Sequence, residues 1–157
     1  MANRELGQFR KPFVFDGDVS TFTAVPAGTV NGSVFGTDLG SCDRVEAILH
    51  ISTITAGAVG DTIDVSLQAT WNPYDASPIW FDVVSFTQFL GNAATPIRRL
   101  ASLTAGQTTS TDVTGNLAAG SNRHLPGVQY RVRYVITDAA GGDLRVTFSV
   151  SLLAKSP

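Results

Sequence analysis

Leu144–Ala154 (LRVTFSVSLLA) alternates: Leu144, Val146, Phe148, Val150 and Leu152 are apolar, and Arg145, Thr147, Ser149 and Ser151 between them are polar. A period of two puts one row against a core and the other toward water, so the stretch reads as a half-buried β-strand. Val128–Thr137 (VQYRVRYVIT) repeats the pattern, with Val128, Tyr130, Val132, Tyr134 and Ile136 set against Gln129, Arg131, Arg133 and Thr137. The link between them, Asp138-Ala139-Ala140-Gly141-Gly142-Asp143, carries glycines that can take the positive φ of a hairpin turn. The two runs are therefore expected to pair as a terminal ribbon, with Arg145 across it from Arg131 and Arg133.

The same alternation recurs upstream. Ile63–Trp71 (IDVSLQATW) is the cleanest case, with Ile63, Val65, Leu67, Ala69 and Trp71 inward and Asp64, Ser66, Gln68 and Thr70 outward. Arg44–Ile54 (RVEAILHISTI) puts Val45, Ala47, Leu49 and Ile51 on one face and Glu46, His50 and Ser52 on the other. Val19–Val25 reads as a short strand ended by Pro26-Ala27-Gly28, and Val30–Phe35 as a weaker one broken by Asn31-Gly32. Ile79–Leu90 (IWFDVVSFTQFL) reads as one strand apolar on both faces, which implies a cover on each. Pro96–Leu103 is compatible with a short strand. Thr104–Leu125 is a long Thr/Gly/Ala/Ser segment, with room for a short strand around Thr111–Val113. A loop that long in a compact domain is either functional or ordered by a partner.

No stretch carries a helical stripe with caps. Short strands punctuated by Gly/Pro turns imply an all-β fold, a single β-sandwich of jelly-roll or related Greek-key type. Residues 1–18 have no clean period and are expected to form an irregular N-terminal arm, with 19–157 as the sandwich domain. Phe9, Phe13 and Phe15 in the arm must be buried somewhere: on their own sandwich, the simpler reading, or on a neighbouring subunit.

The chain has 157 residues, enough for one domain with its own core. Charged residues make up only 15%, which suits either a Ser/Thr/Gly-solvated surface or one that other subunits cover. Net charge is −2, and the basic residues are scattered apart from Arg10-Lys11 and Arg98-Arg99. No basic run is dense enough to hold a phosphate backbone, so nucleic acid is not an expected partner. Cys42 is alone, leaving no disulfide framework. Met1–Phe9 has no signal-like apolar core, and no apolar run approaches the roughly 20 residues that cross a bilayer. The expected setting is a cytosol, or a particle assembled in one, with no membrane partner.

Residues with chemistry are sparse. Cys42, His50 and His124 lack the spacing of a zinc site, and the outward position of His50 favours a structural role. No nucleophile elbow is present. Asp16-Gly17-Asp18 and Asp138…Asp143 read as turns and not as calcium loops, for lack of the fixed oxygen ligands and closing Glu. Gly57–Gly60 and Gly115–Gly120 neither precede a helix nor carry a Lys, so they do not cradle phosphate. The expectation is no catalytic residue, no metal, no cofactor and no small-molecule substrate. Trp71 continues an inward row and reads as core, whereas Tyr74, in the loop Asn72–Pro78, reads as a contact residue. Arg131 and Arg133 form a small basic patch, either solvated, with Asp64 or Glu46 as ion partners, or intersubunit.

The segment Asp64–Phe86, with Val65-Ser66-Leu67-Gln68, Trp80-Phe81-Asp82 and the following Phe86-Thr87-Gln88, resembles small structural proteins of tailed bacteriophages. So does the pair Tyr130-Arg131-Val132-Arg133-Tyr134-Val135 and Phe148-Ser149-Val150-Ser151. The likeness covers roughly the last two-thirds of the chain and is a pattern, not a diagnostic motif. It implies a single sandwich or jelly roll, and most closely a head decoration (cement) protein that sits as a homotrimer on the capsid surface. The implied partners are the major capsid protein and further copies of the chain, in a virion assembled in the host cytoplasm. The long loop departs from the leanest versions of that pattern. Candidate subunit and capsid contacts are Phe9, Arg10, Phe13, Phe15, Tyr74, Arg131 and Arg133. Alternative readings are a phage tail or fibre component and a carbohydrate-binding jelly-roll module.

Overall fold

The computed structural model describes residues 13–14, 20–35, 44–70, 72, 74–104 and 129–155. Cys42, Trp71, His124, most of the arm and the segment 105–128 lie outside the described residues. The strands are β1 (Phe13–Val14), β2 (Ser20–Val25), β3 (Gly28–Phe35), β4 (Arg44–Thr55), β5 (Thr62–Thr70), β6 (Phe81–Ser85), β7 (Phe89–Leu90), β8 (Ile97–Thr104), β9 (Gln129–Thr137) and β10 (Arg145–Lys155). All described pairings are antiparallel.

In the first sheet β10 lies between β4 and the end-to-end strands β1 and β2, and β8 completes the far edge. In the second, β9 lies between β3 and β5, and β6 and β7 lie end to end along the other side of β5. The orders β2-β10-β4-β8 and β3-β9-β5-β6 are those of a jelly roll. Among the described strands only β5 and β6 are both consecutive and paired.

The inward rows make one core. Ala47, Leu49 and Ile51 of β4, with Val146, Phe148, Val150 and Leu152 of β10, face Ile63, Val65, Leu67 and Ala69 of β5 and Tyr130, Val132, Tyr134 and Ile136 of β9. Each alternation decides which side of its strand is buried, as the sequence implies. It does not decide the partner, and here one expectation is overturned. β9 and β10 are not a hairpin: β9 pairs with β3 and β5 while β10 pairs with β1, β2 and β4. The link is an arch between sheets. Asp138 shapes it, its Oδ1 accepting the Gly142 N–H at 3.0 Å and its Oδ2 the Leu144 N–H at 3.2 Å. Positive φ falls on Gly141 (69°) and Asp143 (62°). An arch lets two strong inward rows bury against each other, and each strand then has neighbours on both edges.

Ile79–Leu90 is likewise not one strand. It splits into β6 and β7, and a register shift opposite Leu67/Gln68 turns the consecutive Val83 and Val84 both into the core. Side seams are closed by side chains. Phe22 stacks on Phe148 with centroids 4.6 Å apart and meets Tyr134 edge-on at 5.0 Å. On the opposite side the Arg99 guanidinium lies 5.7 Å from the Phe89 ring centroid.

The two ends differ. At one end, the connections 56–61, 91–96 and 138–144 gather on Asp61, which is 0% exposed. Its Oδ2 accepts the Ala58 N–H at 2.7 Å, its Oδ1 the Ala140 N–H at 3.1 Å, and its carbonyl the Gly91 N–H at 2.9 Å. A Cβ on Gly91 would lie 2.5 Å from Asp61 Cβ, so only glycine permits this approach. At the other end sit the strand termini Phe35, Arg44, Thr70, Thr104 and Gln129, from which the longer connections depart.

Candidate functional site

The connection from β5 to β6 begins at Thr70 and is built on Asn72. The Thr70 hydroxyl donates to Asn72 Oδ1 at 2.9 Å, and the Ile79 N–H donates to the same oxygen at 3.0 Å. Asn72 Nδ2 donates to Asp75 Oδ2 at 2.6 Å, and the Asp75 N–H closes the turn on the Asn72 carbonyl at 3.2 Å. One side chain thus ties the start of the loop to its end. The loop exposes Tyr74 (93%) and Ile79 (72%) and delivers Trp80 to the outer face of the second sheet.

Trp80 meets Arg131 there, with the guanidinium carbon 4.2 Å from the ring centroid. Arg131 Nε donates to Gln68 Oε1 at 2.8 Å, and Gln68 Nε2 donates to Asp82 Oδ1 at 2.8 Å. The Ser66 hydroxyl joins at the same Asp82 oxygen, at 3.2 Å. Register explains the relay, since Gln68 lies between Arg131 on β9 and Asp82 on β6. The cover is close enough that Gln68 is 8% exposed although it occupies an outward position. Outward Ser66 and Thr70 are buried too, and each has a hydrogen-bond partner.

Burial lowers the Arg131 pKa from its ordinary value, the neighbouring Arg133 lowers it further, and Asp82 opposes both. Arg131 remains a cation, as guanidinium does throughout the usual pH range. Arg133 lies opposite Asn31 on one side and Ser66 on the other. Neither arginine forms an ion pair among the described residues, whose salt bridges are Arg44–Glu46 at 2.9 Å and Arg145–Asp143 at 2.6 Å. Both carboxylates on this face are occupied by amides, since Gln88 Nε2 donates to both oxygens of Asp64 at 3.0 Å.

Of the contact residues read from sequence, Arg131 and Arg133 share this face, and Tyr74 sits on the loop that supplies Trp80. Phe13 lies in β1, its backbone paired with Ala154. Phe9, Arg10 and Phe15 lie outside the described residues. Two details change. Arg145 belongs to the opposite sheet, so it does not extend the Arg131/Arg133 patch. The ion partners read for that patch are also otherwise engaged: Glu46 pairs with Arg44, and Asp64 with Gln88. Sequence reasoning passed over Gln68, Asp82 and Trp80 as a group. The usable signal was a strand-turn-strand unit, 63–70 and 81–85, whose outward rows face each other once paired.

His50 stands outward on β4 as expected, between Ser149 and Arg98. On the same outer face Ile48 and Leu100 are exposed cross-strand neighbours. No group of His, Cys, Asp or Glu side chains among the described residues converges as metal ligands. The second-sheet cluster brings together a held guanidinium, a second cation beside it, and exposed aromatic and aliphatic side chains on the adjoining loop. Comparison with protein-family models and with curated protein sequences returns no match.

Proposed function

We propose that the chain is a virion structural protein, a capsid decoration protein that binds the outer surface of a tailed-phage head as a trimer and stabilises the shell. The carrying observation is the polarity of the jelly roll. One end is sealed by Asp61, while the other gathers the longer connections, including the loop that exposes Tyr74 and Ile79. A shell subunit needs a rigid body that presents adaptable segments in one direction, and avidity across a trimer multiplies modest single contacts. Low overall charge supports the same reading, as does the resemblance of the strand pattern to phage structural proteins noted from the sequence.

In this proposal the end opposite Asp61 faces the shell, and segment 1–18 acts as a clamp. Purified chain is expected to elute as a trimer by light scattering and to pellet saturably with shells. A monomer that stays in the supernatant at every concentration contradicts it. Removal of 1–18 is expected to weaken pelleting. A tail or fibre role is the runner-up within this class. The near-complete exposure of Tyr74 favours one reading outside it, a carbohydrate-binding jelly roll, for which glycan binding lost in Tyr74→Ala is the test.

A further inference from the structure

We propose that Arg131 and Arg133 form a receptor for a carboxylate side chain on an acidic segment of a partner protein. Naming the shell as that partner rests on the function proposed above; the receptor chemistry does not.

Arg131 is held before any partner arrives. Its Nε is spent on Gln68 Oε1 at 2.8 Å, and its guanidinium carbon lies over the Trp80 ring, 4.2 Å from the centroid. Gln68 is in turn fixed by Asp82, and Asp82 by Ser66. These contacts set the orientation and leave the Nη edge without a hydrogen bond among the described residues. That edge carries paired donors whose spacing matches a carboxylate. Arg133, two residues along the same outward row, adds a second cation and makes no hydrogen bond or ion pair among the described residues.

Both local carboxylates accept from glutamine amides and not from these arginines. Two carboxylates and two guanidinium groups leave this face close to neutral, so the selection is by hydrogen bonding: the Arg131 Nη edge and the Arg133 guanidinium, without acceptors among the described residues, call for an anionic occupant that supplies them. The rim selects a protein, because Tyr74, Ile79 and the outward Val34 opposite Arg131 give exposed apolar area beside the charges. Preorganisation reduces the entropy lost on binding.

The test is a titration of the isotopically labelled full chain, read at the Arg131 Nε–H and Trp80 Nε1–H resonances. The probes are a Glu-rich peptide containing leucine, a Lys-rich peptide of equal length, and inorganic sulfate. Saturable shifts with the Glu-rich peptide alone, weakened by salt, are expected. Arg131→Gln should weaken binding about tenfold or more. Arg131→Lys should also weaken it, since charge remains and the planar fork is lost. Arg133→Gln breaks no described contact, so it should fold normally and still bind less tightly. Shifts of equal size with the Lys-rich peptide, unchanged affinity in both folded glutamine variants, or sulfate binding as tightly as the peptide would each overturn the receptor. Shell pelleting by the wild-type chain is measured separately, so failure of one does not imply failure of the other.

Discussion

Tyr134 meets Phe148 edge-on across the sandwich, with ring centroids 5.3 Å apart. The two residues come from strands adjacent in sequence, yet they face each other from opposite sheets. Phe22 touches both rings, so the three aromatics join the two sheets at one seam. Phe148→Ala is expected to cost about 3–5 kcal/mol in chemical denaturation. A double-mutant cycle between Tyr134→Ala and Phe148→Ala should return a coupling of about 0.5–1.5 kcal/mol. Zero coupling would mean that the rings do not meet.

Asp61 holds backbone donors from two connections while fully buried. Asp61→Ala leaves both N–H groups without that acceptor and is expected to cost on the order of 3 kcal/mol by urea denaturation. Gly57→Ala should be at least as harmful, since a Cβ there would overlap the Gly91 carbonyl. Stability unchanged in both variants would show that this end is not locked as described.

Two titrating groups predict opposite pH limits. The Gly142 N–H, then the Leu144 N–H, hold the Asp138 carboxyl below the usual aspartate range. Its contribution is full above the unfolded value, about 3.9, and fades as pH falls through the lower folded value. Wild type should therefore lose stability more steeply than Asp138→Asn below about pH 4. Burial raises the Tyr134 phenol. That contribution is full below about pH 10 and is lost as pH rises through the folded value. Denaturation at stepped alkaline pH should show a smaller decline in Tyr134→Phe than in wild type.

Tyr74 offers a clean separation of binding from folding. At 93% exposure its replacement by alanine should change stability by no more than about 0.5 kcal/mol. Under the decoration reading the same variant should pellet less well with shells. Equal pelleting would remove Tyr74 from the contact surface.

The sequence pattern carried the inward rows and most strand positions, because burial on one face leaves a period of two whatever the partner. It could not carry pairing for β9 and β10. A hairpin and an inter-sheet arch require the same alternation, and Asp138 with the glycines suits either. The β6 bulge was hidden for a related reason, since Val83 and Val84 read as opposite faces until the register shifts. Arg131 and Arg133 were visible as an outward pair. Their setting was not, because burial of Ser66, Gln68 and Thr70 comes from the loop and neighbouring strands lying over positions that read as solvated. Asp61 sits in a turn, where composition resembles any exposed Gly-Asp corner and no period marks burial.

The most direct measurement is a reconstruction by electron cryo-microscopy of phage heads carrying the chain. The proposed function predicts density for the jelly roll on the outer shell surface, at three-fold clusters. The Tyr74 loop and Arg131 should point toward the capsid, and the Asp61 end should point outward. Density confined to the tail or fibres, or a jelly roll seated on its Asp61 end, would contradict it.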